Sequence, residues 1–226
     1  MKNYALILAG GSGNRMQEET PKAFLEINQK YLIEYSILKF SEHPQIDKII
    51  LVVPKDYLKI TEELVKNKKY QKVSAVKQGG TSRFESSRIA VNTVEEDQSK
   101  VLIHDAARPF ITHKIISQCL ESLEQFDALN LLSPISDTLI QLQDNQIIGN
   151  VDRALYRQAQ TPQSFQLNTI KKTHEAALSD DIETITDDFN LVLKYQTGTC
   201  SWVEGNRMNF KITYPEDLEL ARLLLH

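Results

Sequence analysis

Residues 6–16, LILAGGSGNRM, run from an apolar segment straight into three glycines and close on Arg15. Glycines after a strand let the backbone come close to a ligand, with N–H groups directed at anionic oxygens. Lys22 follows soon after, behind Pro21 in TPKAFL. A guanidinium clamps phosphate oxygens as a fork and an ammonium acts as a point charge, so the pair beside such a loop suits a polyphosphate. The competing readings are a structural tight turn and two ordinary surface cations; loop and cations together favour the phosphate site. Two familiar loops do not fit. A dinucleotide fingerprint needs a third glycine, but counting from Gly11 the sixth position is Met16, and the acidic residue expected ~20 residues later on a second strand has no clear counterpart, because that region reads as the start of a helix. An ATP/GTP loop ends in Gly-Lys-Ser/Thr, which is absent here.

A second group of candidates lies at 104–108, HDAAR. Asp105 ends a β-branched run, where a carboxylate at the sheet edge meets hydroxyls or a metal-bound water; capping the next turn is its structural alternative. His104 is tempting as a base, but a packing or hydrogen-bonding role is preferred. The five histidines show no HxH or HExxH spacing, so no protein metal site is expected. Cys119 and Cys200 lie far apart without a CxxC and read as reduced thiols of a cytoplasmic protein.

These residues need a scaffold. A chain of 226 residues, 41% hydrophobic, is enough for one good-sized core, so a single domain over 1–226 is expected. The net charge of −4 argues against a general nucleic-acid binder. No apolar run approaches the ~20 residues of a membrane span, and MKNYALILAGG reads as a strand rather than a signal peptide. Strands are expected at Tyr4–Ala9, Lys48–Val53, Lys72–Lys77, Lys100–Asp105, Asp127–Leu132 and near Trp202. Helices are expected at Leu32–Phe40, Tyr57–Val65, Arg83–Val94 and Lys114–Leu123. The last lies in YPEDLELARLLLH, with Pro215, Glu216 and Asp217 in its first turn. This alternation predicts an α/β fold: a mostly parallel, doubly wound, Rossmann-like sheet, with ligands at the strand carboxyl ends. Residues 133–164 break the pattern around Asp144-Asn145 and predict a projecting β-arm at about 135–160.

LAGGSGNRM followed by PKAFL resembles the nucleotide-binding signature of sugar-phosphate nucleotidylyltransferases. HDAARPF (104–110), DTL (137–139), VDRALYRQAQTPQSF (151–165), TITDD (184–188) and NFKITYPEDL (209–218) narrow the likeness. Together they resemble the cytidylyltransferases that act on 2-C-methyl-D-erythritol 4-phosphate and the related ribitol-5-phosphate cytidylyltransferases, in order from residue 4 to about 222. The resemblance implies transfer of CMP from CTP to a small polyol phosphate with release of pyrophosphate. It also implies Mg²⁺ held mainly by substrate phosphates, and a homodimer that exchanges arms. Carried over by position, Arg15 and Lys22 would stabilise the transition state on the triphosphate. Lys211 and the partner subunit's Arg153 would position the acceptor phosphate. Asp105, Arg108, Thr138 and Thr161 would line the polyol site, and Ala9, Gly10, Gly11, Gly79 and Ser86 would hold the cytidine nucleotide.

The acceptor is divided between the two branches. Ala9-Gly10-Gly11 stands where the methylerythritol branch commonly has Ala-Ala-Gly, and Ile140-Gln141 follow Leu139 where that branch often has a lysine. Ala107 leans the other way, because the ribitol branch often has valine there. Methylerythritol phosphate is the first expectation and ribitol 5-phosphate the second. A regulatory nucleotide-binding module and a dinucleotide-dependent oxidoreductase are further alternatives. The first would lack Arg15, Lys22 or Lys211, and the second would carry the missing glycine and acid.

Overall fold

The structure, a computed structural model, describes residues 1–10, 20–179 and 187–225. Eleven strands and seven α-helices occur among them. The main sheet starts with β1 (Lys2–Leu8), β4 (Lys48–Val53), β5 (Val73–Gln78) and β6 (Ser99–Asp105). It is completed by β7 (Ala128–Pro134), β10 (Arg157–Gln166) and β11 (Cys200–Glu204) in the order β11-β7-β10-β6-β1-β4-β5. All pairs are parallel except the two made by β10, which runs antiparallel to both β6 and β7. The expected mostly parallel sheet is therefore present.

Both faces of the sheet are covered, and the alternation within strands shows why. On β1, Ala5 and Ile7 join one core with Ile33, Ile37 and Phe40 of α1 (Leu32–Glu42) and with Ile115, Ile116 and Cys119 of α4 (His113–Ser122). Tyr4, Leu6 and Leu8 join the opposite core with Ala90 and Val91 of α3 (Arg83–Asn92). That core also takes Ile170 of α5 (Leu167–Ala176) and Val192 of α6 (Asp188–Tyr195). Side chains of period two thus feed two helix layers, the pattern of a strand buried on both faces. Helix α2 (Leu58–Lys68) packs Leu58 and Val65 beside the first core.

The chain leaves β1 through α1 to β4 and β5, then returns through α3 to β6 on the other side of β1. The sheet order reverses between β1 and β6, and ligands bind at such a reversal outside the strand carboxyl ends. Helix α7 (Pro215–Leu224) closes the fold, packing Leu218 and Ala221 with Leu32 and Tyr35 of α1 and with Ile212. That packing draws residues 209–213 over the carboxyl ends of the strands.

Strands β2 (Glu26–Ile27) and β3 (Lys30–Tyr31) form a small ribbon. Strands β8 (Ile140–Gln143) and β9 (Gln146–Asn150) form the expected hairpin, and every residue in them is exposed. Asp144 and Asn145 link them at φ 46° and 65°, the left-handed pair of a two-residue hairpin turn. The arm is shorter than the patterning predicts. Residues from Arg157 onward belong to β10 in the sheet, and from Gln160 to Phe165 they are buried. The run RQAQTPQSFQ hides its strand character because its buried residues are mostly polar. Gln160, Thr161 and Gln163 are satisfied inside: Gln160 Nε2 donates to the Asn206 carbonyl at 2.9 Å, and Gln163 Oε1 accepts the Asp188 N–H at 3.1 Å.

Candidate active site at the β1–β6 edge

Three backbone bonds fix the edge. Ala9 N–H donates to Val52 O at 2.8 Å, Gly79 N–H to Val53 O at 2.8 Å, and Ala106 N–H to Leu8 O at 2.9 Å. They register the exits of β1, β5 and β6 on their neighbours. Ser86 on α3 then meets two glycines. A Cβ on Gly79 would lie 3.0 Å from Ser86 Oγ, and one on Gly10 would lie 3.4 Å from it. Gly80 N–H donates to the same oxygen at 3.2 Å. Ala9, Gly10, Gly79 and Ser86 are thus brought together, and at Gly79 the absent side chain makes the close approach possible. Gly11 and Arg15 lie outside the described residues.

Asp105 stands at the end of β6. Its N–H donates to Thr161 Oγ1 at 3.0 Å, and Lys211 Nζ donates to its Oδ2 at 2.7 Å. Arg83 Nε lies 3.9 Å from its Oδ1. Burial works to raise the pKa of this carboxyl, but Lys211, Arg83 and Arg108 overcome it and hold it well below the usual carboxylate range. Asp105 is therefore ionised near neutral pH.

The segment before α7 is pinned across Asp105. Arg108 Nη1 donates to Asn209 O at 2.9 Å, Asn209 Nδ2 to Thr161 O at 2.9 Å, and Ile212 N–H to Ala107 O at 2.9 Å. Lys22 reaches the same segment, with Nζ donating to Thr213 O at 2.9 Å. Lys22 and Lys211, 189 positions apart in the sequence, thus come within two residues of one another along this segment. The expected Asp105, Arg108, Thr161, Lys22 and Lys211 form one cluster.

His104 is wholly buried next to it. Its Nε2 lies 3.0 Å from Arg108 O, and its Nδ1 lies 3.2 Å from Thr161 Oγ1. A carbonyl only accepts, so Nε2 carries the proton and Nδ1 accepts the threonine hydroxyl. Burial pulls the imidazole pKa down to about 4. The ring orients Thr161, which in turn receives the Asp105 N–H. This is the hydrogen-bonding role expected for it.

Thr138 and Arg153 lie elsewhere. Both are exposed, and Arg153 Nη1 donates to Ser136 O within its own arm. Within one chain they are not joined to the Asp105 cluster by any described hydrogen bond or ion pair. Residue patterning also overlooks Arg83 and Asp188. Their pairing across 105 residues left no local spacing to read, although Asp188 ends the TITDD motif and Arg83 follows shortly after Gly79.

Known proteins match the chain over nearly its whole length. A family model described as 2-C-methyl-D-erythritol 4-phosphate cytidylyltransferase matches residues 4–226. A Lachnospira eligens protein of that name is 36% identical over 99% of this chain and 99% of its own length. A Haemophilus influenzae bifunctional ribulose 5-phosphate reductase/CDP-ribitol pyrophosphorylase is also 36% identical, over 97% of this chain and 47% of that protein. The crystal structure of 4-diphosphocytidyl-2C-methyl-D-erythritol synthase from Anaerococcus prevotii matches with a TM-score of 0.85 at 26% identity, covering 99% of this chain and 96% of that one. The chain therefore belongs to the 2-C-methyl-D-erythritol 4-phosphate cytidylyltransferase (IspD) family and is a nucleotidyltransferase.

Proposed function

We propose that the enzyme transfers CMP from CTP to the phosphate of 2-C-methyl-D-erythritol 4-phosphate. An acceptor phosphate oxygen attacks the α-phosphorus of CTP, the bond from that phosphorus to the bridging oxygen breaks, and pyrophosphate leaves. The observation that carries the reading is the meeting of Lys211, Arg108 and Asp105 with the glycine turns at one sheet edge. A phosphate monoester has a second pKa of about 6, so near neutrality it is largely a dianion and needs no base. The neutral, fully engaged His104 is in keeping with that. The barrier lies instead in bringing two polyanions together and in the charge that grows on pyrophosphate, and fixed cations answer both. Arg15 and Lys22 are assigned to the triphosphate, and Lys211 and the partner subunit's Arg153 to the acceptor phosphate. Asp105, Arg108, Thr138 and Thr161 are assigned to the polyol, and Ala9, Gly10, Gly11, Gly79 and Ser86 to the cytidine.

Mg²⁺ fits as a companion of the triphosphate. Among the described residues no three His, Cys, Asp or Glu side chains gather to hold an ion, and Mg²⁺ favours phosphate oxygens, waters and one or two carboxylates. Asp105 would meet one of those waters, and the ion would supply charge screening on the triphosphate.

The arm supports a homodimer. Ile140, Leu142, Ile147, Ile148, Leu155 and Tyr156 are all exposed on or beside β8 and β9. A lone two-stranded hairpin is marginal in water, and exposed apolar side chains in this number suit a second copy. Exchange of arms is how the partner subunit's Arg153 would reach the site. Among the described residues no helix is long and apolar enough to cross a membrane, and a cytoplasmic enzyme is the reading in keeping with CTP as donor.

Pyrophosphate release with CTP and Mg²⁺, measured in parallel on methylerythritol phosphate and ribitol 5-phosphate, tests the acceptor. Release with methylerythritol phosphate is expected. Release with ribitol 5-phosphate alone, or with neither, overturns the assignment.

A further inference from the structure

Arg83 opens α3 and is not among the residues assigned to either substrate. Its Nη1 donates to Asp188 Oδ2 at 2.7 Å, while its Nε faces Asp105 Oδ1 at 3.9 Å. Asp188 has no exposed surface, and its other oxygen accepts the Ser87 hydroxyl and lies against His174 Nε2, each at 2.7 Å. Its backbone N–H donates to Gln163 Oε1 at 3.1 Å. One edge of the Arg83 guanidinium is thus anchored to a carboxylate that α3, α5 and β10 hold together. Its other edge is offered to the carboxylate of the acceptor site.

Asp105 therefore stands between two unequal cations. The Arg83 side chain is 25% exposed and tied down, whereas that of Lys211 is 42% exposed and bonded, among the described side chains, to Asp105. An incoming phosphate dianion competes with Asp105 for Lys211. A carboxylate that loses its cation in a nearly enclosed site pays a desolvation penalty and tends to move toward water. A second, fixed cation removes that cost.

We infer that Arg83 is a positioning residue of the acceptor site: held by Asp188, it fixes the Asp105 carboxylate from the buried side while Lys211 turns to the acceptor phosphate. The inference rests on the transfer reading above. A lysine in its place cannot serve two carboxylates, because an ammonium lacks the fork. The nucleotide side keeps its own anchors, since Ser82 Oγ accepts the Glu85 N–H and Ser87 still ties α3 to Asp188.

The test is a pair of KM values, one for each substrate, on Arg83→Lys, with thermal unfolding as the check on folding. Arg83→Lys is expected to raise the acceptor KM by about tenfold or more, with the CTP KM within about threefold, because a small misplacement of a binding group is costly. Asp188→Asn, which weakens the anchor while keeping its shape, is expected to move the acceptor KM in the same direction. Ser87→Ala takes one bond from Asp188 but leaves Arg83, and is expected to leave the acceptor KM unchanged. On an Asp105→Asn background, Arg83→Lys is expected to add little, since its effect passes through Asp105. A folded Arg83→Lys with an unchanged acceptor KM, equal rises in both KM values, or full additivity with Asp105→Asn overturns the inference. Wild-type turnover in the same assay reports separately on the transfer reading.

Discussion

The folded chain keeps His104 neutral down to about pH 4, whereas the same side chain in the unfolded state takes up a proton near its ordinary 6.5. Between those values the unfolded state binds more protons, so acid favours unfolding there. The contribution is complete above pH 6.5 and is lost as pH falls toward 4. At 1.36 kcal/mol per pKa unit it amounts to on the order of 3 kcal/mol. Asp105 and Asp188 are both held well below the usual carboxylate range, so they titrate beneath this window. His104→Gln is expected to flatten the loss of stability between neutral and mildly acidic buffer, measured by urea unfolding. An unchanged slope in the variant would place the titration elsewhere. At this scale the sequence exposed Asp105, Lys22 and Lys211 through their motifs. It assigned no role to Arg83 or to Asp188, although Asp188 lies in the TITDD motif, because their pairing across 105 residues exists only once the chain has folded.

Among the elements, the strands that feed two helix layers were legible, since β4 and β6 are continuous apolar runs. Strand β10 was not. Its buried Gln160, Thr161 and Gln163 look like loop residues, and their burial is offset by partners that the fold brings from elsewhere in the chain: Asn206 and Asn209, His104 and the Asp105 N–H, and the Asp188 N–H. The glycine turns carry an expectation of their own. In Gly79→Ala the new Cβ meets Ser86 Oγ at 3.0 Å and Val52 Cγ1 at 3.4 Å. Ser86 must yield, and its bond from the Gly80 N–H goes with it. The CTP KM is expected to rise by about tenfold while the acceptor KM holds, if the disturbed contacts serve the nucleotide as proposed above. A variant whose acceptor KM rises instead would move these turns to the other substrate.

At the scale of the whole molecule, sheet order decides where the chemistry sits. The chain turns back between β1 and β6, and α7 then lays residues 209–213 across that opening. No single-strand pattern contains this, so the location of the site was readable only through motif order. The arm was readable as an exposed hairpin, whereas arm exchange in a homodimer came from the resemblance alone, because self-association leaves no mark of its own on one chain. If arms are exchanged, one site draws Lys22 from one subunit and Arg153 from the other. Lys22→Ala alone is expected to lower kcat by ~10²-fold or more, and Arg153→Ala to be similarly impaired. Mixed after dissociation in equal amounts, the two variants are expected to recover about a quarter of wild-type activity, since half of randomly formed dimers hold one intact site. No recovery from variants shown to exchange subunits would mean that each site is built within one chain.

The central claim is that the acceptor's own phosphate attacks the α-phosphorus of CTP. Methylerythritol phosphate labelled with ¹⁸O in its phosphate, turned over with CTP and Mg²⁺ and read by ³¹P NMR, tests it directly. The account predicts a diphosphate product with all of the label in the acceptor-derived phosphate, bridge included, and unlabelled pyrophosphate. Label in the pyrophosphate, or no diphosphate product from folded enzyme, would contradict it.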